Sequence, residues 1–264
     1  MSAGEELISI IVPVYNAGNY IEETIRMVEK QTCRNWELIL VDDHSTDNSR
    51  EIIASYLDRR LKERGDKLSK AGEIRFITKE KNEGAAMARN TGIDAAVGRY
   101  IAFLDADDIW MADKLEKELA FLKEKEAAFV CTAYEFGDEL ARGTGKIVHV
   151  PKVLTYSKAL SRTVIFTTTV MLDTQKTGKE LIHMPLVKSE DTALWWKLLK
   201  NGFDAYGLDE VLAIYRRPVK SLSSNKLEAI RRIWYLYRVQ EGLSFWCSAY
   251  HFVFWAYRAA RRRM

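Results

Sequence analysis

Little in this sequence invites a disulfide or a soft metal. Cysteine occurs three times in 264 residues, at Cys33, Cys131 and Cys247. The number is odd, the spacing is wide, and no Cys-x-x-Cys or ligand pattern forms with the four histidines. That count argues against a disulfide framework and suits a reducing cytoplasm. A basic-then-apolar leader is also missing: Met1 to Glu6 is polar and acidic, and the apolar run Leu7 to Val14 leads directly into a folded pattern, so export by that route is not expected. No internal repeat or low-complexity segment is found. Gly18 stands alone after the first apolar run, without the Gly-x-Gly-x-x-Gly of a dinucleotide fold, which weakens a dehydrogenase reading. Gly143-Thr-Gly-Lys146 lacks the full spacing of a phosphate loop, and no apolar strand leads into it.

What is present is enough for a sizeable core. The chain is 47% hydrophobic, and its length allows one large α/β domain with a C-terminal extension. The formal net charge of +3 hides an asymmetry, because from Tyr215 onward eleven Lys/Arg face two acids, a net of +9 that leaves −6 on the first 214 residues. A basic tail points to an anionic surface, either nucleic acid or membrane.

The centre of the chain is Tyr100-Ile-Ala-Phe-Leu-Asp-Ala-Asp-Asp-Ile-Trp110, in which core-type residues run into three carboxylates. A buried strand is expected to end there, with Asp105, Asp107 and Asp108 in the crevice that an α/β sheet opens at the carboxyl ends of its strands. Crowded carboxylates call for a compensating positive charge. A hard divalent cation, Mg²⁺ or Mn²⁺, takes one or two protein carboxylates and completes its shell with water and substrate phosphates. The alternative is a loop in which Asp108 caps a helix starting near Met111.

The same theme occurs earlier. Ile8–Val14 reads as a first strand, followed by the turn Tyr15–Asn19 and a helix over Tyr20–Lys30. Trp36–Val41 is a second strand that ends in Asp42-Asp43-His44-Ser45-Thr46-Asp47, before a helix from about Asn48 to Arg64. A third strand, Ile74–Thr78, precedes Asn82–Ile93, whose small residues suit a helix packed closely on the sheet. This alternation with short connections predicts a doubly wound, mainly parallel sheet. Lys114–Lys125 reads as an amphipathic helix and Ala127–Tyr134 as a strand. Residues 135–185 form an irregular mix expected to carry substrate-specific structure. Ser189-Glu190-Asp191 opens a helix closed by Gly202, and a serine cap with acids in the first turn accounts for that segment without any function.

Taken together, Ile11-Val-Pro-Val-Tyr-Asn16, Gln31-Thr32 with Trp36-Glu37, Val41-Asp-Asp-His-Ser-Thr-Asp47, Asn82-Glu-Gly84 with Ala88-Arg-Asn-Thr-Gly-Ile93, Asp105-Ala-Asp107, Glu190-Asp191 with Leu194-Trp195, and Tyr215-Arg216 give the chain a family resemblance. It resembles the inverting family-2 glycosyltransferases of the GT-A fold, in their bacterial surface-polysaccharide and teichuronic acid branch, over nearly its whole length. The resemblance implies residues 1–214 as the catalytic domain, with a nucleotide-sugar half up to about 110 and an acceptor half beyond it, and residues 215–264 as a helical extension. It implies a UDP-sugar donor, a divalent cation and a lipid-linked saccharide acceptor. By that resemblance Pro13, Val14 and Tyr15 border the base, Asp43 accepts from the uracil imide, and Arg89 also lies at the base. Asp105 would contact the ribose, Asp107 the metal, and Asp191 would be the general base, with Glu190 near the acceptor. Relatives often carry a histidine shortly after the Tyr-Arg pair, whereas this chain reads Tyr215-Arg-Arg-Pro-Val-Lys220. Arg216, Arg217 or Lys220 is then expected to neutralise phosphate, and a second metal contact is unassigned. Two other readings remain open: a nucleotidyltransferase, and a catalytically silent nucleotide-sugar-binding protein.

In the tail, Leu243 to Tyr257 is fifteen residues of mostly aromatic and apolar sequence ahead of Arg258-Ala-Ala-Arg-Arg-Arg263. That is short for a membrane span, which needs about 20 residues. Ser244, Ser248, His251 and Arg258 recur at helical spacing as a narrow polar stripe. An in-plane helix at an anionic membrane fits, with the protein peripheral at the inner face of the plasma membrane. So does a helix packed on the body or on a second subunit. Nucleic acid fits least, because the basic residues gather at one end and no binding module is recognised.

Overall fold

A computed structural model describes residues 6–64, 72–217 and 226–261. Its elements in order are β1 (Ile8–Val14), α1 (Ile21–Glu29), β2 (Trp36–Asp42), α2 (Ser49–Arg64), β3 (Glu73–Thr78), α3 (Ala85–Ala95), β4 (Tyr100–Phe103) and β5 (Ile109–Trp110). They continue with α4 (Lys114–Glu124), β6 (Phe129–Gly137), β7 (Gly143–Val148), β8 (Val153–Leu154), α5 (Tyr156–Leu160), β9 (Val170–Asp173) and α6 (Thr174–Thr177). The last are α7 (Glu190–Lys200), β10 (Ala205–Arg216), α8 (Lys226–Tyr235) and α9 (Phe245–Arg261).

The strands join one sheet in the order β3-β2-β1-β4-β9-β6-β10-β5, with β7 added to β6 and β8 to β10. The first four are parallel, as the alternation of strands and helices requires. Every residue of β2 and nearly every residue of β1 is buried, which is the signature of a sheet covered on both faces. Beyond β4 the sheet becomes mixed, because β9 runs antiparallel to both β4 and β6, while β6 and β10 pair in parallel. Because β9 is antiparallel to its neighbours, it needs no long crossover helix. The chain reaches it through α5 and the short 3-10 turn Thr167–Thr169.

Helix α3 lies tight on the sheet, as its small residues predict. A Cβ built on Gly92 would come within 2.4 Å of the Ile11 side chain, so any larger residue would force α3 away from β1. Gly143-Thr-Gly-Lys146 falls in β7, paired to β6, and not in a phosphate loop. Strand β10 carries Tyr215 and Arg216 into the sheet, past the expected domain boundary at 214. Lys220 lies outside the described residues.

Helix α7 ties the two ends of the molecule together. Trp195 packs on Phe103 and Phe129, with ring centroids 6.3 and 5.3 Å away. Its neighbour Trp196 stacks on Tyr237 at 5.3 Å with planes only 9° apart. Tyr237 is fully buried and donates its hydroxyl to the Leu160 carbonyl, so the segment after α8 belongs to the core.

One buried charge pair sits inside this core. Lys114 and Glu118, one turn apart on α4, are an ion pair with side chains 0% and 1% exposed, and the ammonium lies 4.3 Å from the Trp110 ring centroid. Burial pulls the lysine down and pushes the glutamate up, to about 7, and it pushes the nearby Cys131 thiol up to about 12. Glu118→Gln leaves the ammonium buried without its counter-charge and is expected to lower unfolding free energy by about 3–5 kcal/mol. The double variant Lys114→Met/Glu118→Leu is expected to recover most of that. Urea titrations of the three proteins read this directly, and equal stability of parent and Glu118→Gln contradicts it.

Candidate functional site

The site gathers at the carboxyl ends of β1, β2 and β4. The loops after β1 and β2 are stitched together by Asn16, which sits in left-handed backbone at φ 51°. Its amide oxygen accepts from Thr46 N at 2.8 Å and Asp47 N at 3.3 Å, and its own N–H donates to Ser45 Oγ at 3.0 Å. Pro13 and Val14 end β1, and Tyr15 extends from it 53% exposed. Asp43 follows β2 with its N–H on the Val14 carbonyl, 2.8 Å away. Its buried carboxylate accepts from Lys79 Nζ at 2.7 Å, Glu83 N at 3.0 Å and Gly84 N at 2.6 Å. Gly84 adopts φ +87°, which an L side chain rarely takes, and there it aims its N–H at Asp43 just ahead of α3. Asp43 therefore orders the entry to α3, and a carboxylate with these three donors retains lone-pair capacity for one more.

The acidic loop after β4 is held from three sides. Asp105 N donates to Thr168 Oγ1 at 3.2 Å, and the same hydroxyl donates to Asp108 Oδ2 at 2.6 Å. Thr24 of α1 donates to the Ala106 carbonyl at 2.6 Å. The antiparallel pairing of Ile109 with Ile214 brings the end of β10 alongside, where Arg216 N donates to Asp108 Oδ1 at 3.2 Å and Arg216 Nε to the Asp107 carbonyl at 2.6 Å. The rest of that guanidinium reaches Glu23 at 2.7 Å and the Glu139 carbonyl at 3.2 Å, over the Tyr20 ring. Arg216 is thus bound into the loop on every side. Arg217 lies over Phe136, 4.9 Å from the ring centroid.

Asp108 does not cap the following helix, which is the correction to the capping alternative. Helix α4 begins at Lys114 behind Asp113, and Asp108 points inward to Thr168 and Arg216 N. Burial, and then the charges of Asp105 and Asp107, push its carboxyl well above the usual range. Asp107 is also pushed up, by burial and then by Asp105. No hydrogen bond or ion pair from another described residue reaches the Asp107 carboxylate. A desolvated, repelled and unpaired carboxylate suits one hard cation that brings its own waters and phosphates. Among the described residues no group of three or more His, Cys, Asp or Glu could hold a metal ion by itself, as that mode of binding permits.

Opposite this loop stands the start of α7. Arg89, buried on α3, bridges Asp105 at 2.5 Å and Glu190 at 3.3 Å, while its Nε is a buried N–H without a partner. Asn90 pins the approach to α7 by paired bonds to Met184, at 3.0 and 2.7 Å. Ser189 sits in the left-handed region at φ 63° and makes no side-chain cap bond, so the serine-cap account of this segment fails. Strain of this kind is kept only where the surroundings impose it. Asp191 accepts Thr192 N at 2.6 Å, and burial and then Glu190 push its carboxyl up against the opposing pull of Arg89.

Arg89, Asp105 and Glu190 are therefore in direct contact, with Asp191 and Asp107 one and two residues from that bridge. Thr168, Glu23 and Lys79 hold the site as well, and none was signalled by the sequence. Thr168 stands in a run of three threonines, with nothing in its spacing to link it to Asp105.

The model of glycosyl transferase family 2 matches residues 9–174. Over the full length of both chains the sequence is 42% identical to TuaG of Bacillus subtilis strain 168, a glycosyltransferase assigned to teichuronic acid biosynthesis. It is 38% identical, over 86% of this chain and 84% of the relative, to WfgD of Escherichia coli, a UDP-Glc:α-D-GlcNAc-diphosphoundecaprenol β-1,3-glucosyltransferase. The fold is similar to Staphylococcus aureus TarS in complex with UDP-GlcNAc, with TM-score 0.65, 22% identity, and 88% and 66% of the two chains covered. It is similar too to the Pyrobaculum calidifontis mannosyltransferase PcManGT in complex with GDP-Man and Mn²⁺, with TM-score 0.70, 18% identity, and 96% and 75% covered. The acidic loop after β4, the Arg89 bridge and these matches lead to one assignment: the chain is a glycosyltransferase and belongs to glycosyl transferase family 2.

Proposed function

We propose that this chain moves a sugar from a UDP-sugar to a lipid-linked saccharide with inversion at the anomeric carbon, and that Asp191 is the base. The observation that carries the reading is Asp191 itself, a carboxyl pushed up by burial beside the Arg89 bridge to Asp105. A base of raised pKa holds a proton better at neutral pH than an ordinary carboxylate, and a well-positioned one contributes about 10²–10⁴-fold. Attack by the acceptor hydroxyl forms the new glycosidic bond as the bond to the UDP oxygen breaks; the hydroxyl proton passes to Asp191. A single displacement turns a UDP-α-sugar into a β-linked product. Arg89 keeps Asp105 and Glu190 in register, leaving Asp105 for the ribose and Glu190 for the acceptor. Pro13, Val14 and Tyr15 border the base, whose imide donates to Asp43. A divalent cation held by Asp107 would supply charge stabilisation at the departing diphosphate. The donor class is supported by WfgD, named for UDP-Glc, and by TarS, solved with UDP-GlcNAc; WfgD's diphosphoundecaprenol-linked saccharide supports the acceptor class.

We further propose that α9 attaches the protein to the inner face of the plasma membrane. No helix among the described residues is long and apolar enough to cross a membrane. The polar stripe of α9 turns inward: Ser248 is buried, His251 meets Ser161 at 2.7 Å, and Arg258 donates to the Ser161 carbonyl at 2.8 Å. Trp246, Tyr250, Val253, Phe254 and Tyr257 are left outward, Trp246 at 80% exposure. An apolar face turned to solvent, on a helix that runs into the terminal arginines, suits an anionic lipid surface.

A panel of nucleotide sugars scored by UDP release tests the activity, and release of pyrophosphate from a nucleoside triphosphate instead would mark a nucleotidyltransferase. Asp191→Asn is expected to keep UDP binding and lose transfer by about 10²-fold or more. The sign of its pH effect follows from the raised pKa. Between the unfolded and folded pKa values the native state binds the extra proton, so the parent loses stability as pH rises through that window. Asp191→Asn should therefore gain stability relative to the parent across that window, with no difference below it. The acidic limb of the parent's kcat/KM should lie above the ordinary carboxylate range. Transfer by the variant within a few-fold of the parent removes Asp191 from the reaction. For the cation, UDP affinity in Mn²⁺ is expected to exceed that in chelator for the parent, and the difference should vanish in Asp107→Ala.

Membrane attachment is read by co-sedimentation with phosphatidylglycerol vesicles. Trp246→Ser/Tyr250→Ser/Tyr257→Ser leaves the inward stripe intact and is expected to lower partitioning at least tenfold, since each lost side chain removes about 1–3 kcal/mol of burial. A parent that ignores the vesicles, or one that pairs through this face in solution, contradicts the attachment.

A further inference from the structure

Ahead of α7 lies a second concavity that the donor reading does not use. A cavity of about 560 Å³ opens between Leu186-Val187-Lys188 and α8, where Glu228, Arg231, Arg232 and Tyr235 line it. Three cations face one carboxylate there. Glu228 takes Lys188 Nζ at 2.9 Å and Arg232 Nε at 3.3 Å, and so holds both cations at the wall. Among the described residues Arg231 has no ion-pair partner, and the residue is exposed. Among the described lining residues one acid thus positions two cations and leaves a formal surplus of two positive charges. Leu186, 68% exposed, and Tyr235, 43% exposed, form an apolar rim.

We infer that this cavity binds the diphosphate of the lipid-linked acceptor, an inference that rests on the acceptor class proposed above. Two positive charges beyond those neutralised match a diphosphate bridging two organic groups, and a guanidinium fork pairs with phosphate oxygens two at a time. The apolar rim takes the first isoprenoid carbons. Position along the chain supplies the link to the reaction. Lys188 precedes Asp191 by three residues, so their backbones are at most about 11 Å apart. A diphosphate at Lys188 and Arg231 therefore leaves room for one or two sugar rings to reach Asp191. On its other side α8 joins the outward-facing helix, with Trp234 edge-on to Phe245 at 5.8 Å and to Phe252 at 5.7 Å. A lipid leaving the cavity meets α9 next.

The test uses the full chain saturated with UDP, so that the donor site is filled, and farnesyl diphosphate as the probe, with farnesyl phosphate and inorganic pyrophosphate alongside. The parent is expected to bind farnesyl diphosphate more tightly than either control. Arg231→Gln, which removes a side chain with no ion-pair partner among the described residues, is expected to weaken it about tenfold, and Arg231→Gln/Lys188→Gln further. UDP affinity and phosphatidylglycerol partitioning should stay within twofold, with melting temperatures confirming the fold. Equal farnesyl diphosphate affinity in parent and variants overturns the inference. So does a matching loss of UDP affinity, which would assign the cations to the donor, or of vesicle partitioning, which would make them a general lipid-surface patch. A parent that binds farnesyl diphosphate in this way yet releases no UDP from any nucleotide sugar would count against the proposed transfer and leave the diphosphate site standing.

Discussion

Five carboxylates converge where the sheet ends, and their mutual repulsion is the constraint that the rest of the site answers. Asp105, Asp107 and Asp108 come from one loop, Glu190 and Asp191 from the start of α7. Two buried arginines divide the work of holding them. Arg89 takes Asp105 and Glu190, and Arg216 takes the backbone and edge of the acidic loop. Thr168 closes the remaining gap with a single hydroxyl that accepts from Asp105 N and donates to Asp108. In surroundings with little water each unmatched charge is costly, so these groups are as much a condition of folding as of chemistry. Among the other described residues Asp107 has no hydrogen-bond or ion-pair partner for its carboxylate. That is the position where a cation with its waters would answer a structural need already present.

The C-terminal segment is joined to the same framework. Tyr237 stacks on Trp196 of α7, and His251 and Arg258 anchor α9 to Ser161. Phe252 and Trp255 pack inward beside these polar anchors, while Trp246, Tyr250, Phe254 and Tyr257 are left on the solvent side, so α9 carries aromatic residues on both faces. The cavity between the loop before α7 and α8 begins three residues ahead of Asp191, at Lys188, and α8 packs on α9 through Trp234. Asp191, the cationic cavity and the outward aromatic residues therefore follow one another along α7, α8 and α9.

Much of this could be read from the chain. Runs such as Ile8–Val14 and Trp36–Val41 carry their own strand signal, because a sheet covered on both faces needs continuous apolar residues. The carboxylates after β2 and β4 marked the crevice, since such a sheet presents its site at the carboxyl ends of its strands. The small residues around Gly92 announced a helix pressed against β1. Other readings failed for reasons that lie in tertiary contacts. Asp108 looked like a helix cap because capping is a local rule, yet Thr168, sixty residues away, claims it. Ser189 looked like a serine cap by the same rule, yet the pull of Arg89 on Glu190 accompanies a left-handed backbone that makes no cap bond. Helix α8 fell inside the helical extension expected over residues 215–264 but had no bounds of its own, and the cationic wall that Lys188 completes went unread with it.

By itself the sequence determined the mainly parallel half of the sheet, the acidic loop that ends it, and the surplus of charge and aromatics in the tail. Each depends on neighbours within a few residues or on the identity of the side chain alone. Tertiary structure alone decided which carboxylate meets which arginine, that β9 enters antiparallel between β4 and β6, and that the polar stripe of α9 turns inward. Those outcomes depend on residues tens to more than a hundred positions apart, such as Arg216 and Asp108. A charge or a stripe in sequence says what must be compensated, and only packing selects the group that does it.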